Sequence, residues 1–103
     1  MGYEQKQYAV NVSEDAIEML NTHLLFLIGV SLDAAEKLAD DFNEAFDSLK
    51  IMPNRCPKLR TNITDEVYRQ LIIGRYQLVF SVNEVKGVVD VKYILDSRQN
   101  NQI

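Results

Sequence analysis

Strict alternation of apolar and polar positions marks the second half of the chain, and helical spacing marks the first. Tyr76, Leu78, Phe80 and Val82 alternate with Gln77, Val79 and Ser81, and Val89, Val91, Tyr93 and Leu95 repeat that period after Asn83–Gly87. A period of two is the signature of a half-buried strand, and the glycine-ended break between the runs predicts a hairpin turn. An earlier run, Tyr68–Ile73, leads into Gly74 and predicts the first strand of the same meander. Towards the N-terminus, Ile17, Leu20, Leu24 and Leu27 follow helical spacing, as do Ala35, Leu38, Phe42, Ala45, Phe46 and Leu49. Ser13, followed by Glu14 and Asp15, supplies an N-cap and negative charge at the positive end of the first helix. Gly29 is expected to end that helix in the left-handed conformation. Ser31 then caps a second helix, and so short a link forces an antiparallel pair. Tyr8, Val10 and Val12 form a short opening strand, while Pro53 and Pro57 close the second helix and open an irregular loop to about Glu66. The predicted order is β-α-α-β-β-β, an α+β domain with a helical hairpin packed on an antiparallel sheet.

Composition narrows the class. No repeat, low-complexity block or linker divides the 103 residues, so one domain spanning 1–103 is expected. Apolar residues make up 47% and charged residues 25%, which places the chain among globular rather than disordered proteins. The longest apolar run, Leu24 to Val30, is too short to cross a bilayer, and MGYEQKQ lacks the basic start and apolar core of a secretory signal. Cys56 is the single cysteine, which excludes an internal disulfide and suits a reducing cytoplasm. With His23 the only histidine and on a different element, no zinc set forms. Cys56 also lacks the neighbouring base that thiol catalysis needs.

Charge is unevenly spread. Residues 1–50 carry three lysines against ten acids, −7, and residues 51–103 carry eight basic groups against five acids, +3, which together give the net −4. An acidic chain of this kind lacks the cations that release counterions from nucleic acid, so sequence-specific DNA binding by the chain alone is not expected. A local basic surface on an acidic body remains compatible with the split. The acidic row Glu36, Asp40, Glu44 and Asp47 on the second helix reads first as a solvated face, and second as a site for a basic segment of a partner.

Three stretches resemble the RelE/ParE superfamily of bacterial toxins from type II toxin–antitoxin systems, which includes plasmid stabilisation proteins. The exit of the second helix, Met52-Pro53-Asn54-Arg55-Cys56-Pro57-Lys58-Leu59, is similar to the family's Pro-x-Arg-x-Pro loop. Tyr68-Arg69-x-Leu71-x-x-Gly74-x-Tyr76-x-Leu78-x-Phe80 resembles its central hairpin, and Val91-x-Tyr93-Ile94-Leu95-Asp96-Ser97-Arg98-Gln99 its last strand and exit. The resemblance covers nearly the whole chain and implies a toxin neutralised by a cognate antitoxin, with no cofactor, metal or membrane involved. One branch of the superfamily cleaves messenger RNA in the ribosome; the ParE-like branch poisons DNA gyrase without a hydrolytic site.

Five positions bear on the choice of branch. The ribonuclease branch presents alternating basic residues on the first hairpin strand; here Arg69 fills one such position and Leu71 stands at the other. Gln77 replaces the arginine that follows the hairpin tyrosine, Arg98 matches the basic residue after the last strand, and the tail Gln99–Ile103 has no tyrosine. Losing one transition-state cation costs on the order of a hundredfold in rate. Arg75 shares the sheet face of Gln77 if the turn is regular, and alternation with Val91 and Leu95 reads Tyr93 first as a core aromatic and second as an acid or base. The expectation is a ParE-like toxin acting by protein–protein contact rather than as an enzyme, although Asp96 stands where many ParE-like members carry histidine. The alternatives are an mRNA interferase using Arg69, Arg75 and Arg98, and a diverged binding module without toxicity. Arg69, Arg75 and Arg98, with Arg55 and Arg60 in the loop, are the expected contacts to target or antitoxin; the competing reading makes them solvated charges that protect strand ends.

Overall fold

A computed structural model describes residues 6–59 and 66–97. Strand β1 (Ala9–Val12) leads into helices α1 (Glu14–Val30) and α2 (Leu32–Ser48), and a single 3₁₀ turn at Pro53–Arg55 follows. Strands β2 (Lys58–Leu59), β3 (Tyr68–Ile73), β4 (Tyr76–Asn83) and β5 (Val88–Asp96) complete the fold. The sheet order is β1-β5-β4-β3-β2. The predicted meander β3-β4-β5 is present and antiparallel throughout.

Two features enlarge the predicted sheet. β1 lies parallel to β5, with Val10 opposite Val89 and Val12 opposite Val91, so the sheet is mixed rather than antiparallel. The helical hairpin carries the chain back from the end of the sheet, and that crossover permits a parallel pairing. The stretch expected to be an irregular loop also contributes β2, whose Lys58 and Leu59 pair with Arg69 and Tyr68.

Both helices start as their sequences dictate. Ser13 Oγ accepts a hydrogen bond from Ala16 N at 3.0 Å, and Ser31 Oγ accepts one from Ala34 N at 3.2 Å. Gly29 departs from expectation: it lies inside α1 and does not adopt a positive φ. Ser31, in extended conformation, ends α1 and caps α2 at once, its N–H bonding Leu27 O at 2.7 Å. A one-residue joint leaves no place for a separate glycine cap.

The core lies between the helical hairpin and one face of the sheet. Leu38, Phe42 and Leu49 of α2 and its cap meet Leu78, Phe80, Val89, Val91 and Ile94 of the strands, and Ala35 and Ala45 of α2 are buried as well. The buried set on β5 shifts phase partway along: Val89 and Val91 are buried, then Ile94 and Asp96. A β-bulge causes this. Val79 faces Tyr93, but Phe80 faces Val91, so Lys92 is the extra residue of β5. The first turn of α1 fixes the bulge, because Ser13 Oγ donates to Lys92 O at 2.7 Å and Ser13 N donates to Val91 O at 2.9 Å. Tyr93, expected in the core, is therefore on the outer face and half exposed.

Candidate functional site

The register of β3 and β4 sorts the predicted site residues by face. Phe80, Leu78 and Tyr76 point to the helices, so their partners Arg69, Leu71 and Ile73 do as well. Arg69 lies half-buried on that inner side, where its Nη1 donates to the Cys56 carbonyl at 2.6 Å. It ties the loop after α2 to the start of β3. Cys56 itself is buried, and burial pushes its thiol pKa up against the pull of Arg55 and Arg69, which keeps it protonated and inert.

Arg75 occupies the β3–β4 turn behind Gly74, whose φ of 58° is the left-handed value such a turn uses. Its guanidinium lies 5.2 Å from the centroid of the Tyr76 ring, its Nη2 donates to the Tyr76 hydroxyl at 3.2 Å, and its Nε is 3.5 Å from Asp96 Oδ2. The turn is not a regular continuation of β4, so Arg75 joins the inner-face residue Tyr76 rather than sharing the face of Gln77. The Tyr76 ring also meets His23 edge-on at 5.1 Å and Phe42 at 5.7 Å. Asp96, where the resemblance puts a histidine in many relatives, thus closes a packed end of the sheet.

Arg55 is engaged elsewhere. Its Nη1 donates to the carbonyls of Ser48, Ile51 and Met52 at 3.1–3.3 Å, and its Nη2 donates to Ser48 Oγ at 3.1 Å. It caps the C-terminus of α2, whose last turn holds no cation of its own. Arg60 and Arg98 lie outside the described residues. Arg69 lies near the start of β3 and Arg75 in the turn beyond its end, so the stretch Arg69–Ile73, about 13 Å at about 3.3 Å per residue, separates them. The described arginines do not form one cluster.

The outer face of the sheet carries what the sequence reading missed. It presents Gln70, Ile72, Gln77, Val79, Tyr93 and Leu95, with Tyr68 at the β3 end. Gln77 Nε2 donates to Gln70 Oε1 at 2.6 Å across the hairpin. Tyr68 donates its hydroxyl to Glu66 Oε2 at 3.0 Å, and that bond raises its phenol pKa, with Tyr93 close enough to add to the effect. Amides and phenols therefore occupy the outer positions of β3 and β4, while on β5 Asp90 and the bulge residue Lys92 bring charge to that face. Continuing the alternation from Leu78 and Tyr76 back through Leu71 identifies these outer positions of β3 in the sequence.

A further cavity of about 450 Å³ opens at the other end of the sheet, lined by Lys6, Tyr8, Met52, Asn54 and Arg55. Its polar groups converge on Glu84, which accepts from Tyr8 Oη at 2.8 Å, from Lys6 Nζ at 3.3 Å and from Asn54 Nδ2. These hydrogen bonds, that from Asn54 first, hold the Glu84 carboxyl below its ordinary pKa, and the bond to Glu84 raises the Tyr8 phenol. The cluster pins the β4–β5 turn to the chain entering β1. Among the described residues, no three His, Cys, Asp or Glu side chains gather as a metal site, and no helix is long and apolar enough to cross a membrane.

No protein-family model matches the chain, and no curated protein does. Solved structures do. A chain of the archaeal RelE–RelB complex from Pyrococcus horikoshii superposes with a TM-score of 0.63 at 17% identity, over 90% of this chain and 98% of that one. A chain of the toxin–antitoxin complex RelBE2 from Mycobacterium tuberculosis does so with a TM-score of 0.62 at 20% identity, over 90% and 97%. Two helices on a five-stranded mixed sheet, in this order, are therefore the RelE-like fold, as the sequence resemblance implies.

Proposed function

We propose that this chain is the toxin of a type II toxin–antitoxin pair, held inactive by a cognate antitoxin and acting by protein–protein contact in the ParE-like manner, with DNA gyrase the first target to test. The shared fold with chains of RelE–RelB and RelBE2 complexes supports the toxin reading. The uncharged outer positions of β3 and β4 carry the choice of mechanism. Cleaving RNA requires cations preorganised around the charge that develops on the scissile phosphate. The outer positions described on β3 and β4 hold Gln70, Ile72, Gln77 and Val79, while Arg69 and Arg75 bond the Cys56 carbonyl and Asp96 on the other side. A flat surface of phenols, amides and aliphatic side chains suits a protein partner.

Two observations favour the alternative of mRNA cleavage in the ribosome, the first being that the solved structures sharing the fold are RelE complexes. The second is that Tyr93 is exposed beside Tyr68, which makes a phenol available for base stacking or proton transfer. Incubating the purified chain with translating ribosomes, and in parallel with gyrase and supercoilable plasmid, separates the two. The proposal expects intact transcripts and inhibited supercoiling. Codon-specific cuts that disappear in Tyr93→Phe or Arg98→Ala overturn it.

A further inference from the structure

Donors from two distant stretches of chain converge on one carboxylate at the β4–β5 end of the sheet. Glu84 Oε2 accepts from the Tyr8 hydroxyl at 2.8 Å and from the Lys6 ammonium at 3.3 Å, while its Oε1 accepts from the Asn54 amide. Both oxygens of a planar group are thus held at once, which is the recognition a carboxylate needs. Beside this seat lies the cavity of about 450 Å³, within the span of about 300–1,000 Å³ typical of small-molecule sites. Charge at this end favours an anion. Lys6, Lys50, Arg55 and Lys86 stand against Asp47 and Glu84, four cations to two acids and so a local +2 on a chain of net −4.

Glu84 is a replaceable occupant. Its side chain is 53% exposed, and the turn that carries it closes without it. Gly87 N donates to Asn83 O at 2.8 Å, and Lys86 N donates to Asn83 Oδ1 at 3.0 Å. Rotation of the Glu84 side chain into solvent therefore empties the seat while the hairpin stays shut. Lys6 keeps its place when the carboxylate leaves, because its Nζ also donates to the Glu84 backbone carbonyl at 2.6 Å.

The rest of the lining suits an apolar body. Tyr8 contributes a ring, and Met52 a thioether side chain that is 57% exposed. Met52 is also the one non-glycine residue at positive φ, 55°, among the described residues. Glycine would take that left-handed backbone without strain. A methionine there instead puts a polarizable side chain on the cavity wall, where it packs well against an aromatic ring.

We infer that this cavity is a site for a small aromatic carboxylate, which displaces Glu84 from Lys6, Tyr8 and Asn54 and lays its ring against Met52. The inference is independent of the toxin reading, because it uses only this end of the sheet.

The test titrates the full ¹⁵N-labelled chain with benzoate and follows its amide resonances. Saturable shifts centred on Tyr8, Asn54 and Glu84 are expected, with none from benzamide, the uncharged isostere, and weaker binding of phenyl phosphate. Glu84→Ala removes the internal competitor and is expected to tighten benzoate binding about tenfold, whereas Lys6→Gln and Asn54→Ala weaken it by about that factor. Met52→Gly relieves the strained backbone and strips the apolar wall. It is expected to weaken benzoate about threefold or more without lowering the urea midpoint, a combination that a purely structural methionine would not give. Should Glu84→Ala fail to fold, Asn54→Ala and Met52→Gly decide. No saturable shift in either the natural chain or Glu84→Ala overturns the inference, as do shifts centred elsewhere or benzamide binding as well as benzoate. Tighter binding of phenyl phosphate, or a Glu84→Ala chain that binds benzoate no better than the natural one, overturns it too.

Discussion

Single side chains in this fold separate into groups that hold the chain together and groups left for a partner, and hydrogen bonds decide which is which. Arg55 illustrates the difference between motif and role. In sequence it reads as a loop cation free to contact a target, yet its guanidinium binds the last carbonyl of α2, at Ser48, and those of Ile51 and Met52 just beyond it. Arg55→Ala is expected to lower stability by about 1 kcal/mol in urea unfolding, and Arg55→Lys to recover less than half of it, since an ammonium lacks the fork that spans several carbonyls. A residue serving only as a target contact would leave the unfolding midpoint unchanged. Glu84 makes the corresponding case for a carboxylate. Its folded pKa is lowered below the ordinary 4.5 by hydrogen bonds from Asn54 and Tyr8. The stability it contributes is whole above that value and is lost as pH falls through the folded pKa. Urea midpoints of the natural chain should therefore drop more steeply on acidification below about pH 4.5 than those of Glu84→Gln, and parallel slopes would refute the coupling. Neither role is written in the sequence, because residues 6, 8, 54 and 84 meet only when the β4–β5 turn folds against the chain entering β1.

Elements were more legible than side chains. Capping serines, apolar spacing and turn residues located both helices and the three meander strands, because each of these signals is local. Two non-local facts escaped. The parallel seat of β1 depends on where the hairpin returns the chain, and the bulge at Lys92 depends on the Ser13 cap reaching across to β5. A one-residue bulge exchanges the faces of everything after it, which is why uninterrupted alternation put Tyr93 inside and Ile94 outside. Unfolding measurements expose the exchange. Ile94→Ala, at a fully buried position, is expected to cost about 2–5 kcal/mol, and Tyr93→Ser less than about 1 kcal/mol. The reverse order would restore the unbulged register. The faces of β3, by contrast, follow directly from pairing Leu71 with Leu78, and that pairing turns Arg69 inward.

For the whole molecule, a −8 helical hairpin (nine acids against one lysine over residues 14–48) backs a sheet whose described outer positions on β3 and β4 are uncharged, so the two sides suit different partners. The charge split between the halves was visible in the sequence, whereas the separation of Arg69 from Arg75 by the length of β3 was not. A string of arginines gives no indication of which ends of a strand they occupy. That separation keeps Arg69 and Arg75 from gripping one phosphate together, which supports the proposed action through protein contact. Mapping mRNA 5′ ends in a bacterial culture whose growth responds to induction of the chain tests this most directly. The account predicts arrested growth with transcript ends unchanged from the uninduced culture. New ends phased to codons, or growth that continues undiminished, would contradict it.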